Sequence, residues 1–106
     1  MVFYLARPRL GSTPVYPADT MELPNGLFVS NDPGRAFSYG IGQASRDGFE
    51  LYSADIDPVN LCKERRISSR IDYRVMYKGG SKCPIRAIML LGVYYRGRDG
   101  KWTRER

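Results

Sequence analysis

The sequence predicts a single α+β domain, rich in short strands and carrying one main helix. The chain has 106 residues, 42% of them hydrophobic, with 8 Tyr and 4 Phe, which supports one modest core and leaves no room for two. Its 11 Gly and 7 Pro are spread along the chain and divide it into many short elements joined by defined turns. Between these breaks the apolar residues alternate or fall in short runs, and one stretch opens with a helix start. About five to seven strands around one helix follow from this punctuation.

The elements run in order. An apolar strand over Val2–Arg7 is stopped by Pro8. Residues 8–25 contain Pro8, Pro14, Pro17 and Pro24 and show little periodicity, predicting a long loop with a short turn near Ala18–Met21. Leu27–Ser30 reads as a short strand. Asp32-Pro33 is a helix start, because Asp can cap the first turn and Pro suits the first helical position. The helix runs to about Ala44, weakened by Gly40 and Gly42, and offers Ala36, Phe37 and Ile41 to the core. After Gly48 a strand spans Phe49–Ile56 and ends before Pro58.

Asn60–Ile67 reads as one basic helical turn or a loop. Ile71–Lys78 alternates cleanly, with Ile71, Tyr73, Val75 and Tyr77 on one side and Asp72, Arg74, Met76 and Lys78 on the other. Gly79-Gly80-Ser81 reads as a turn; with Lys82 it has the flavour of a phosphate loop but lacks the spacing of one. Pro84–Tyr95 is the most apolar run, with β-branched and aromatic residues that favour a central strand. Arg98-Asp99-Gly100-Lys101 is a hairpin signal that returns the chain through Trp102 and Thr103.

Composition excludes several chemistries. The chain has no His, so Ser-His-Asp, Cys-His and His-ligated metal sites are ruled out. Cys62 and Cys83 stand 21 positions apart and alone, which argues against a metal site and leaves a disulfide or, as expected of a cytosolic protein, two free buried thiols. No apolar run approaches the ~20 residues that a membrane span requires. Met1–Pro8 has neither a basic n-region nor a long apolar h-region, and reads as a first strand rather than a signal peptide. A cytoplasmic protein without metal or membrane partner is the expectation.

Charge is uneven. Residues 1–61 hold 4 Lys+Arg against 7 Asp+Glu, a net of −3, whereas residues 62–106 hold 13 against 4, a net of +9, together the +6 of the chain. Lys63, Arg65, Arg66, Arg70 and Arg74 cluster beside Tyr73 and Tyr77, and cations interleaved with aromatics suit a nucleic acid or an acidic protein surface. The same pattern also describes a solvated face.

The most informative stretch is Gly26-Leu27-Phe28-Val29-Ser30 followed by Asn31-Asp32-Pro33-Gly34-Arg35-Ala36-Phe37-Ser38-Tyr39. A strand, a tight turn and a helix bearing an aromatic can wall a small-molecule cleft, and the same spacing also suits two core aromatics. This stretch resembles the nicotinamide-binding segment of ADP-ribosyltransferases. In that family a Gly-apolar-aromatic strand is followed, eleven positions after its aromatic, by a Tyr on the helix, and Phe28 and Tyr39 reproduce that spacing. Phe49–Pro58, Ile71–Tyr77 and Ala87–Val93 are similar to the family's later core strands.

The resemblance implies a split β-sandwich, NAD as the substrate, and mono-ADP-ribosyl transfer to a macromolecular target, a glycosyltransferase chemistry. It implies that Phe28 and Tyr39 sandwich the nicotinamide, that Ser30 hydrogen-bonds its carboxamide or a ribose hydroxyl, and that the Ala6 backbone supplies a paired amide contact. Three signature positions differ. Leu5 stands where the family has a ribose-holding His or Arg, leaving Arg7, two residues on, to substitute. Phe28 stands where a Tyr is common. Arg74 falls where the catalytic Glu would be, so the acid role passes to Asp72, or to Glu50. Compactness without targeting signals is the style of a bacterial or phage effector. The alternative is a non-catalytic module or inhibitor that binds through its basic C-terminal half.

Overall fold

Val2–Pro8 forms the first strand, β1, and its alternating side chains set the layers of the domain. Phe3 and Leu5 face one side of the sheet, Tyr4 and Ala6 the other, and each side has its own apolar cluster. The computed structural model describes residues 1–67, 69–75 and 82–105, with the backbone alone at 65 and 67. Among them the chain forms nine strands and one α-helix, an α+β fold. After β1 come β2 (Glu22–Pro24), β3 (Phe28–Ser30), α1 (Pro33–Gln43) and β4 (Phe49–Asp55). A single 3-10 turn (Pro58–Asn60) leads into β5 (Leu61–Ile67), β6 (Arg70–Val75), β7 (Lys82–Pro84), β8 (Ala87–Arg96) and β9 (Trp102–Arg104).

Seven strands make one antiparallel sheet in the order β5-β6-β3-β1-β4-β8-β9, and β2 pairs with β7 in a separate ribbon. The spine is the β1–β4 ladder, in register from Val2 opposite Asp55 to Pro8 opposite Phe49. Helix α1 covers one side of the sheet; the 9–21 segment and the β2–β7 ribbon cover the other. No helix among the described residues is long and apolar enough to cross a membrane.

On the helix side, Phe49 lies under α1 and meets Phe37, Tyr94 and Trp102 at centroid distances of 5.2, 5.3 and 5.3 Å. Each such aromatic pair adds roughly 1 kcal/mol beyond the area it buries. On the ribbon side, Phe3, Leu5, Tyr52, Ile56 and Val75 pack beneath Leu23, Cys83 and Ile85.

Several expectations are corrected. Residues 61–67 are a strand, not a helical turn or loop, because β6 would otherwise end the sheet with its backbone groups unpaired, and a charged run is well suited to an exposed edge. The long loop contains β2, which exists only through its pairing with β7; its turn is present, closed by the Thr20 N–H donating to the Pro17 carbonyl. Ile41 is exposed, and α1 turns Gly40 inward together with the expected Ala36. Both cysteines are free, but only Cys83 is buried; Cys62 is exposed on the edge strand β5. The apolar run near the C-terminus is next to the edge rather than central, with Met89 exposed. Residues 76–78 of the alternating strand, Tyr77 included, and the Gly79-Gly80-Ser81 turn lie outside the described residues.

Gly48 enters β4 with φ +96°, and a Cβ there would fall on the Tyr94 carbonyl oxygen. Backbone conformation and space both exclude a side chain. We expect Gly48→Ala to cost about 3 kcal/mol, read as a loss of roughly 10 °C or more in thermal unfolding followed by circular dichroism.

Candidate functional site

The stretch singled out in the sequence folds as a strand, a turn and a helix, and its geometry follows from two local devices. Ser30 ends β3 with its hydroxyl donating to the Ile71 carbonyl at 3.0 Å while accepting the Asp32 N–H at 3.2 Å. Asp32 caps α1 by accepting the Gly34 N–H, and Pro33 fixes the helical phase. That phase places Arg35 and Tyr39, one turn apart, over β3.

Tyr39 stacks on Phe28 with centroids 4.5 Å apart and planes 23° from parallel. The two rings are therefore in contact with each other. A third ring between them requires a separation of about 7 Å, two contacts of roughly 3.5 Å. Arg35 lies over the same Phe28 ring, its Cζ 5.7 Å from the centroid.

Arg35 also meets Asp72. Its Nε lies 3.3 Å from each carboxylate oxygen and its Nη2 3.2 Å from Oδ2. Asp72 sits on β6 opposite Ser30, and its side chain is 8% exposed against 34% for Arg35. The result is a continuous patch on the helix side of the sheet: an aromatic stack, a hydroxyl, and a buried carboxylate neutralised by a half-open guanidinium. Ala6 lies beside it on β1, where its carbonyl accepts from Gln43 Nε2 at 2.6 Å.

Arg7 is elsewhere. It faces the ribbon side, its Cζ 5.8 Å from the centroid of Tyr16, with Nε buried and lacking a hydrogen-bond partner. Glu50, the other carboxylate weighed from the sequence, is on that side too and is fully buried. It pairs with Arg9 at 3.2 Å, accepts the Val15 N–H at 2.9 Å and accepts the Tyr52 hydroxyl at 2.6 Å. Tyr52 in turn accepts the Tyr16 N–H at 3.1 Å. Glu50 thus fastens the 9–16 segment to the sheet, and the sheet separates it from Asp72.

The basic cluster is divided by strand alternation. Lys63 and Arg66 pair in register with Tyr73 and Ile71, on the ribbon side, whereas Arg74 pairs with Cys62 and Phe28 on the helix side; of Arg65 only the backbone is described, opposite Asp72. Arg74 is committed to Glu64 at 3.0 Å and to the Gly26 carbonyl at 2.9 Å. Tyr73 packs edge-on against Phe3 in the core. Lys63, Arg66 and Arg70 are exposed along the β5–β6 edge. No group of three or more Cys, Asp or Glu gathers in metal-binding geometry among the described residues.

The residue that sequence reading passed over is Arg35. Its signal was present: once Asp32-Pro33 sets the start of the helix, positions 35 and 39 share a face. Compared with family models, curated proteins and solved structures, the chain shows no significant match to any of them.

Burial raises the Tyr52 hydroxyl above its ordinary value of 10.0, and the hydrogen bond it donates to Glu50 adds to the effect; burial also raises Tyr16, against the opposing pull of Arg7. In the unfolded chain these phenols ionise near pH ~10. The folded protein binds their protons more tightly, so the stability they contribute is complete below that pH and is lost progressively as pH rises from there through the raised folded values. The slope reaches about 1.4 kcal/mol per pH unit for each phenol. Urea unfolding between about pH 8 and pH 11 should show this decline, and Tyr52→Phe should lower stability at neutral pH by about 1 kcal/mol while making the decline shallower.

Proposed function

We propose that this domain binds NAD at the β3–α1 junction and transfers its ADP-ribose to a macromolecular target in the cytoplasm, using a divergent form of the ADP-ribosyltransferase split β-sandwich. The observation that supports this reading is the gathering of Phe28, Ser30, Tyr39 and Asp72 on one side of the sheet. Tyr39 turns out of its stack, the nicotinamide slides over Phe28, and Ser30 hydrogen-bonds the carboxamide. The bond between the ring nitrogen and ribose C1′ breaks with its electron pair leaving on nicotinamide. Asp72 stabilises the cation that develops at C1′ and takes the proton of the incoming nucleophile as its bond to C1′ forms. Arg7, facing the other side of the sheet, is not used in this scheme.

Calorimetric titration with intact NAD, read alongside Trp102 and tyrosine fluorescence, should give saturable binding that Tyr39→Ala weakens about tenfold. With labelled NAD, Asp72→Ala should reduce transfer to an acceptor by roughly a hundredfold or more. No binding at millimolar NAD would overturn the reading.

A second reading rests on a separate observation, the exposed Lys63, Arg66 and Arg70 along the β5–β6 edge. There the domain binds nucleic acid or an acidic protein surface without chemistry. Reversing these three residues to Glu should abolish polyanion binding measured by fluorescence anisotropy, and the wild-type affinity should fall steeply with salt. An interaction insensitive to salt would remove this reading.

A further inference from the structure

We propose that Arg35 is a phosphate hook held in reserve by Asp72: a pyrophosphate-bearing ligand draws the guanidinium off the carboxylate and so bares Asp72. The proposal deepens the NAD reading and rests on it for the identity of the ligand, not for the exchange itself.

Three features of the pair carry it. The first is asymmetry. Asp72 is buried at 8% exposure, whereas Arg35 is 34% exposed and can reach an incoming anion without disturbing the sheet. The second is looseness. All three contacts measure 3.2–3.3 Å, longer than the 2.7–2.9 Å common for charge-assisted bonds. The third is position. Arg35 approaches Asp72 with Nε and Nη2, leaving Nη1 turned away, and rests 5.7 Å over the ring that the proposed ligand would stack upon.

The exchange removes a chemical difficulty. A carboxylate already neutralised by an Arg stabilises a developing cation poorly. A pyrophosphate carries more charge than one carboxylate and competes for the hook. Asp72 is then a buried anion without a partner, a costly state that a new positive charge relieves, and the forming ribosyl cation supplies that charge. Binding of the phosphates is thereby linked to readiness at C1′.

The test uses inorganic pyrophosphate as the probe and the full chain. Asp72→Asn keeps the shape but removes the competing charge. It should bind pyrophosphate roughly tenfold tighter than wild type, despite losing transfer activity. Arg35→Gln should bind roughly tenfold more weakly, and the double variant no more tightly than Arg35→Gln. Glu22→Gln, on the distant β2 ribbon, controls for loss of a negative charge in general and should change affinity less than about twofold. In the wild-type protein the Arg35 Nε–H resonance should shift on saturation with pyrophosphate, a readout that does not depend on the folding of any variant.

An Asp72→Asn affinity no tighter than wild type, or an unmoved Arg35 resonance, overturns the proposal. NAD binding together with either of those results would leave the transferase reading standing and remove the hook. Pyrophosphate exchange without NAD binding would do the reverse.

Discussion

The helix side of the sheet depends on how closely α1 approaches β1 and β4. Gly40 makes that approach: a Cβ there would overlap the edge of the Phe49 ring and press against Ala6. A glycine in mid-helix costs about 1 kcal/mol relative to Ala, and the packing of Phe49 between Phe37, Tyr94 and Trp102 offsets it. With the helix seated that low, and its phase fixed by Asp32 and Pro33, Arg35 and Tyr39 descend onto Phe28. A side chain at position 40 would lift the helix and carry the whole patch with it.

The sheet also divides the molecule electrostatically. Both of its sides bury a carboxylate, and in each case an Arg answers it. Asp72 is answered by a half-open Arg35, a pair that solvent and ligands can reach. Glu50 is answered by Arg9 and two further hydrogen bonds, from the Val15 N–H and from Tyr52, which relays to the Tyr16 N–H, and together they hold the 9–16 segment in place. The same chemical group, a carboxylate paired with an Arg, therefore does two kinds of work. Accessibility, not identity, makes the first a candidate for chemistry and the second a fastener.

Much of the frame was legible in the sequence because it is written locally. Asp32-Pro33 located the helix within a residue, Gly48 and Pro58 bracketed β4, and Asp99-Gly100 marked the last hairpin. What remained hidden depends on partners distant in the chain. Strand β5 forms because β6 lies beside it, and β2 because β7 does; neither carries a periodicity of its own. The side of the sheet on which Arg7 stands relative to Asp72 required knowing which strands lie between them. Arg35 was overlooked because a charged residue in a first turn usually faces water, and only the position of β6 gives it a buried partner.

The Glu50–Arg9–Tyr52 arrangement has a consequence for how the sheet finds its alignment. Phe49 and Glu50 are adjacent on β4 and point to opposite sides, one toward aromatic rings, the other toward a guanidinium. Sliding β4 by one residue along β1 would exchange them. A carboxylate would then be thrust among Phe37, Tyr94 and Trp102 without its Arg, at a cost of several kcal/mol, while Arg9 lost its only buried acceptor among those described. Glu50 thus serves as a key for the alignment of the central ladder, rejecting the pairing that hydrophobic contact alone would tolerate.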